Sequence, residues 1–177
     1  MFIPEFTGSG SGHFSPAEIT FLGSQPDVAT ARLYRSGEKI AASEEGAWGD
    51  IEVPAGNADC RLDLTTARDP SDWAYGASTR TSWSFRSDTT TSESRLPLLQ
   101  LDYDVPVDTR NAVSRAAKHT LGLSVRMQDG MAQPRGVHVT VEASYDGGRS
   151  WAAAVSARKG SGYTAAVERP AHLRGNA

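Results

Sequence analysis

Apolar and polar residues alternate along this chain with a period of two, and that pattern restricts the fold to sheets. Side chains on a strand point to opposite faces in turn, so an apolar residue at every second position makes a strip that one sheet face can bury. In residues 136–145, Val137, Val139, Val141, Ala143 and Tyr145 share one face, and His138, Thr140, Glu142 and Ser144 share the other. This stretch is predicted to be a half-buried antiparallel strand. Residues 119–127 repeat the pattern with Leu121, Leu123, Val125 and Met127 inward. Residues 99–105 do the same, with Leu99, Leu101, Tyr103 and Val105 opposed to Gln100, Asp102 and Asp104. Trp151/Ala153/Val155 and Tyr163/Ala165/Val167 supply two shorter strands.

The first half is noisier but follows the same rule. Ala31/Leu33, Cys60/Leu62/Leu64 and Thr81/Trp83/Phe85 alternate inward, while Ser36-Gly37 and Pro54-Ala55-Gly56-Asn57 are read as turns. Residues 111–118 are the one stretch open to a helix. They are few and lack an apolar stripe, so a loop or a single turn is expected. The run Ser-Asp-Thr-Thr-Thr-Ser-Glu-Ser over 87–94 is too polar to bury and marks a domain boundary or a long loop. About ten short strands divided at this point predict an all-β protein of two tandem antiparallel β-sandwiches, residues 1–96 and 97–177, the second immunoglobulin- or fibronectin-like.

Charge and composition exclude several classes of function. There are 18 Lys+Arg against 21 Asp+Glu, a net charge of -3, whereas binders of nucleic acid normally carry a strong basic excess. No apolar run approaches the roughly 20 residues that cross a bilayer, so no membrane partner is expected. The opening Met1-Phe2-Ile3-Pro4-Glu5-Phe6 has no basic segment and no cleavage site, so it does not read as a signal peptide. Cys60 is the single cysteine, which excludes an internal disulfide and a cysteine-based zinc site. A lone thiol fits a reducing compartment and a disulfide-free secreted protein equally.

No reactive constellation is apparent. Acyl transfer requires a Ser or Cys, a His base and an orienting carboxylate brought together. His13, His119, His138 and His172 are scattered, and no Ser sits in a Gly-x-Ser-x-Gly elbow. Asp102 and Asp104, with Asp108 nearby, are the nearest approach to a hard-cation site, but acidic residues on a strand also protect a sheet edge. Gly8-Ser9-Gly10-Ser11-Gly12-His13 has the composition of a phosphate loop without a helix behind it, and reads as a flexible loop. No catalytic residue, metal ligand or cofactor is assigned.

Two motifs remain. Ser144-Tyr145-Asp146-Gly147-Gly148-Arg149-Ser150-Trp151 matches Ser-x-Asp-x-Gly-x-x-Trp, the Asp-box pattern of sialidase-type propellers, present here in a single copy. Its logic is local: Asp146 bonds the backbone of the turn, Gly147 and Gly148 supply positive φ, and Trp151 packs back on the hairpin. Asp72-Trp73-Ala74-Tyr75-Gly76 places two aromatic rings in a loop, and Trp48 lies in another glycine-rich turn. Trp73 and Tyr75 are candidates for stacking on a sugar, or else they cover one end of a core.

The segments Arg95-Leu-Pro-Leu-Leu-Gln-Leu-Asp-Tyr-Asp-Val-Pro-Val-Asp108, His119-Thr-Leu-Gly-Leu-Ser-Val-Arg126 and Val139-Thr-Val-Glu-Ala-Ser-Tyr-Asp-Gly-Gly-Arg-Ser-Trp151 resemble the non-catalytic C-terminal region of actinobacterial subtilisin-like serine peptidases. Ala31-Arg-Leu-Tyr-Arg-Ser-Gly-Glu-Lys39 and Thr81-Ser-Trp-Ser-Phe-Arg86 resemble the β-rich region that precedes it. The resemblance implies an extracellular location and a parent whose catalytic domain is the partner in cis. It carries no catalytic residue across, since the Asp-[Ser/Thr]-Gly, His-Gly-Thr and Gly-Thr-Ser-Met-Ala segments do not occur. It also implies one more strand pair after Gly175, which makes this chain a fragment with a truncated second domain. The expected role is stabilising the parent or positioning a protein or glycan substrate. The alternatives are a carbohydrate- or surface-binding module and a purely structural spacer.

Overall fold

The computed structural model describes residues 2–3, 28–43, 49–67, 78–110, 112–114, 116–128 and 130–171. Among these residues the regular elements are strands, every pair antiparallel, and there is no α-helix. The protein is all-β, of sandwich type. It divides into two compact units, Met1–Leu96 and Pro97–Ala177.

The first unit contains Phe2–Ile3 (β1), Val28–Arg35 (β2), Glu38–Ser43 (β3), Gly49–Asp50 (β4), Ala58–Ala67 (β5) and Ser78–Ser87 (β6). β1 pairs with β4, and the other four form one sheet in the order β3-β2-β5-β6. Alternation sorts its two faces. Leu33 lies opposite Leu62, which lies opposite Trp83; Ala31 lies opposite Leu64, and Cys60 opposite Phe85. Ala31, Leu33, Ala58, Cys60, Leu62 and Leu64 are buried, and covering each leucine contributes roughly 2 kcal/mol. Thr66, buried on the same face, satisfies its hydroxyl against Thr79 at 2.6 Å. The other face is polar. There Arg61 stacks its guanidinium 4.1 Å from the ring centre of Tyr34, its partner on β2, and pairs with Asp63 at 3.2 Å.

Local chemistry fixes the turns of this sheet. Ser36 and Gly37 both have positive φ, 51° and 85°, the mirror-image geometry that matches strand twist in a two-residue hairpin. The turn at 54–57 is held from both sides: Arg35 donates to the Ala55 and Gly56 carbonyls at 3.1 and 2.9 Å, and the Gly56 N–H donates to Thr89 Oγ1 at 2.8 Å. Asp88 and Thr89 thus anchor the start of the polar run to the first unit.

The second unit contains Gln100–Asp104 (β7), Lys118–Arg126 (β8), Glu142–Ala143 (β9), Ala152–Ala153 (β10), Val155–Lys159 (β11) and Gly162–Glu168 (β12). β9 and β10 form a short ladder, and the other four form a sheet in the order β11-β12-β8-β7. Leu123 and Ala165 are buried on one of its faces, and Leu98 is buried just before β7. The expected strand over 136–145 is realised only in part. Side-chain burial alternates as predicted from Val137 to Ala143, but the strand ladder covers only Glu142–Ala143. Upstream, the carbonyls of Val137 and Val139 accept from the Tyr163 hydroxyl at 2.8 Å and the Ser156 hydroxyl at 3.2 Å. Tyr163 and Ser156 share the face that carries Leu121 and Leu123, so this stretch lies over that face and is bonded by its side chains. Leu101 and Tyr103 lie on the same face of β7, the outer strand, yet stay exposed at 53% and 64%. The stretch that covers Ser156 and Tyr163 does not cover them.

Residues 111–118 form no helix among the described residues. Val107 and Val113 make an isolated antiparallel bridge, and Asp108 Oδ1 accepts from the Arg110 and Ala112 N–H groups at 2.8 and 3.0 Å.

Candidate functional site

The Ser144–Trp151 turn is held by a dense set of polar side-chain bonds, and its construction follows from residue type. Ser144 leaves β9 and turns its hydroxyl inward, where it accepts the Gly148 N–H at 2.8 Å and lies 2.9 Å from Asp146 Oδ1. Asp146 Oδ1 also accepts the Ser150 N–H at 2.9 Å, and Oδ2 accepts the Ser150 hydroxyl at 2.6 Å. Arg149 donates to the Asp146 carbonyl at 3.0 Å. Gly147 and Gly148, at φ 71° and 82°, make the two successive left-handed steps that bring Ser150 round to the carboxylate. The chain then enters β10, where Ala152 pairs with Ala143.

Electrostatics follow from this geometry. The Ser150 hydroxyl, the Ser150 N–H and the Ser144 hydroxyl all bond the ionised carboxylate, and they lower the Asp146 pKa from 3.8 to about 2. A group depressed in the folded state stabilises it above its unfolded value, and that contribution is lost as pH falls from 3.8 through about 2. In an NMR titration the Asp146 carboxyl carbon is therefore expected to turn over near 2, with the Gly148 and Ser150 amides moving in the same step. Ser150→Ala removes the largest cause, so the midpoint moves up toward the ordinary value. A midpoint near 4 in the unmodified chain contradicts the bonded turn.

Trp151 differs from the expectation. Packing back on the hairpin would be expected to shelter the ring, whereas the residue is 61% exposed. β9 and β10 are two residues each, too short to bring a second layer over the ring. The indole instead lies back on the turn, Nε1 donating to the Gly148 carbonyl at 3.1 Å, with the ring 3.7 Å from where a Gly148 Cβ would stand. Tyr145, six residues upstream in the same turn, is 42% exposed. Trp151→Ala is accordingly expected to cost only about 1 kcal/mol, the value of one hydrogen bond and partial cover. A loss above about 3 kcal/mol in urea unfolding would mean the ring is buried after all.

The other candidates separate. Asp102 pairs with Arg126 at 2.9 Å across the β7–β8 ladder, and Asp108 caps its own turn. Among the described residues no three His, Cys, Asp or Glu side chains are grouped to hold a metal ion. His119 lies half-buried opposite Val167, and His138 is at the surface. Cys60 is free and buried, its Sγ 3.8 Å from the Ala58 carbonyl. Trp73, Tyr75, Trp48, His13, His172 and the glycine-serine run at 8–13 lie outside the described residues. Sequence reasoning missed Tyr145 and the outward face of Trp151. A Trp flanked by Ser and Ala rather than by large apolar residues was the available signal.

No family model matches the chain, and neither the curated proteins nor the solved structures contain a match to it.

Proposed function

We propose that this chain is a non-catalytic accessory region of a secreted subtilisin-like serine peptidase, acting to stabilise the parent or to position its substrate. The observation that carries this reading is how the turn at 144–151 spends its reactive groups. Both carboxylate oxygens of Asp146 and both serine hydroxyls bond one another, so the chemistry available there is mechanical. The resemblance of the segments ending at Asp108, Arg126 and Trp151 supplies the identity of the parent. It also favours an immunoglobulin- or fibronectin-like reading of the second unit, an extracellular setting and a catalytic domain in cis as the partner. Linked modules raise the local concentration of substrate without new chemistry.

Two measurements test this reading. The reading frame upstream should encode a Ser-His-Asp catalytic domain, and the purified chain should turn over neither unfolded casein nor an activated ester. Hydrolysis that co-purifies with the chain and resists serine-peptidase inhibitors, or an unrelated upstream frame, overturns it.

The exposure of Trp151 and Tyr145 favours a second reading, a carbohydrate- or surface-binding module in which an outward indole is the stacking platform. Retention on insoluble glycans separates the two. Binding lost in Trp151→Ala or Trp73→Ala supports the module, and no retention by the unmodified chain removes it.

A further inference from the structure

The sheet of the second unit has an even number of strands, each antiparallel to its neighbour, so its outer strands β7 and β11 run in opposite directions. Among the described residues no strand pairs with the outer edge of either. Natural sheets protect such edges with prolines, bulges or inward charges. Here both ladders run without a register shift and neither strand contains proline, so charge is the one defence left, Asp102 and Asp104 on β7 and Arg158 and Lys159 on β11. The two edges carry opposite signs, which keep like edges apart but not unlike ones. β11 is exposed along its whole length, Val155 reaching 74%, and β7 is exposed from Leu101 to Asp104.

The two edges are complementary in charge. β7 presents Asp102 and Asp104, and β11 ends in Arg158 and Lys159. The register across the sheet aligns these charges. One row runs Tyr103, Leu123, Tyr163, Arg158, and the next runs Asp104, Gly122, Thr164, Ala157. The neighbouring row has Asp102 opposite Ser124 at one side and Gly162 opposite Lys159 at the other.

We propose that the chain associates head to tail through this sheet, β7 of one copy adding to β11 of a second copy. A copy moved along the rows without turning over, apart from the rotation that sheet twist imposes, brings β11 antiparallel against β7 with no slip. Lys159 then stands opposite Asp102 on one face, and Arg158 opposite Tyr103 on the other. The chain already uses the second pairing inside its first sheet, where Arg61 sits over its cross-strand partner Tyr34. Equivalent faces stay together, so the exposed Leu101 and Tyr103 gain a neighbouring strand. The contact is heterologous and leaves a free edge at each end, so association continues beyond the dimer.

Sedimentation of the full chain tests this. The weight-average mass should rise steadily with concentration and fall when salt is added. Opposite charges facing each other across strands are favourable and like charges unfavourable, so reversing one charge weakens association by about tenfold or more. Asp102→Lys alone and Lys159→Asp alone should each lose association, and a one-to-one mixture of the two should recover it, because each variant's β7 edge again faces an opposite charge. Arg158→Glu, which leaves the Asp102–Arg126 pair intact, should also lose association. Far-UV circular dichroism confirms that each variant is folded. A chain that stays monomeric at several hundred micromolar overturns the proposal. So does a closed dimer of fixed mass, association unchanged in the charge variants, or a mixture that fails to recover it.

Discussion

Replacing Leu33 by alanine is expected to lower the stability of the Met1–Leu96 unit by about 3 kcal/mol, the middle of the range for a buried leucine truncated in a core. Leu33 is 1% exposed, the largest fully buried side chain described. It lies between Ala41 on β3 and Leu62 on β5, with Trp83 beyond Leu62 in the same row. Ala31, two residues along β2, and Ala41, opposite on β3, are too short to close over the space left, so the cavity persists. A loss of that size lowers the thermal midpoint by roughly 15 °C for a unit of this length. Leu33→Met keeps the volume and should cost less than about 1.5 kcal/mol. If alanine and methionine cost the same, the face around Leu33 is not tightly packed and the sheet is held by its ladders alone.

Much of the architecture was legible because alternation reports burial directly. β5 is the clearest case: Ala58, Cys60, Leu62, Leu64 and Thr66 are each buried and every residue between them is more exposed. What alternation does not report is which group satisfies the backbone. Val137, Val139 and Val141 alternate as well as any strand, yet the first two carbonyls accept from side chains on the sheet beneath. Sequence cannot tell a paired strand from an extended segment bonded in that way.

β3 escaped notice for the opposite reason. Leu33 pairs with Ala41 and Tyr34 with Lys39, so Ile40 is an extra residue on β3. That bulge turns Ile40 and Ala41 inward together and breaks the period of two. At the candidate site the turn itself was legible in Asp146, Gly147 and Gly148, whose needs are local. The position of the Trp151 ring was not, since it depends on whether a second layer stands over a hairpin of two residues per strand.

Gly162 shows the same limit, and it makes the sharper test in the second unit. Nothing in the alternation singles it out, and its φ is not positive. In the β11–β12 hairpin it is Gly160, at φ 60°, that supplies the left-handed step at the first central position of the loop. Gly162 is required for a different reason. A Cβ there would stand 2.7 Å from the Leu123 carbonyl oxygen and 3.9 Å from that of Lys159, both backbone atoms that no rotamer change can move. Gly162→Ala must therefore push β12 away from β8 at the residue that carries the buried Leu123 side chain. The expected cost is about 2 kcal/mol, within the range for forcing a group into filled space. Gly122→Ala is the matched control. It lies in the same sheet, and its Cβ would meet the Asp104 Cβ at 3.4 Å, so a small shift of β7 absorbs it and the cost stays below about 1 kcal/mol. Thermal unfolding of the two variants should rank them in that order. Equal effects would mean that β12 does not approach the Leu123 carbonyl closely, because without that contact alanine in place of glycine mainly restricts the unfolded chain, which stabilises rather than destabilises.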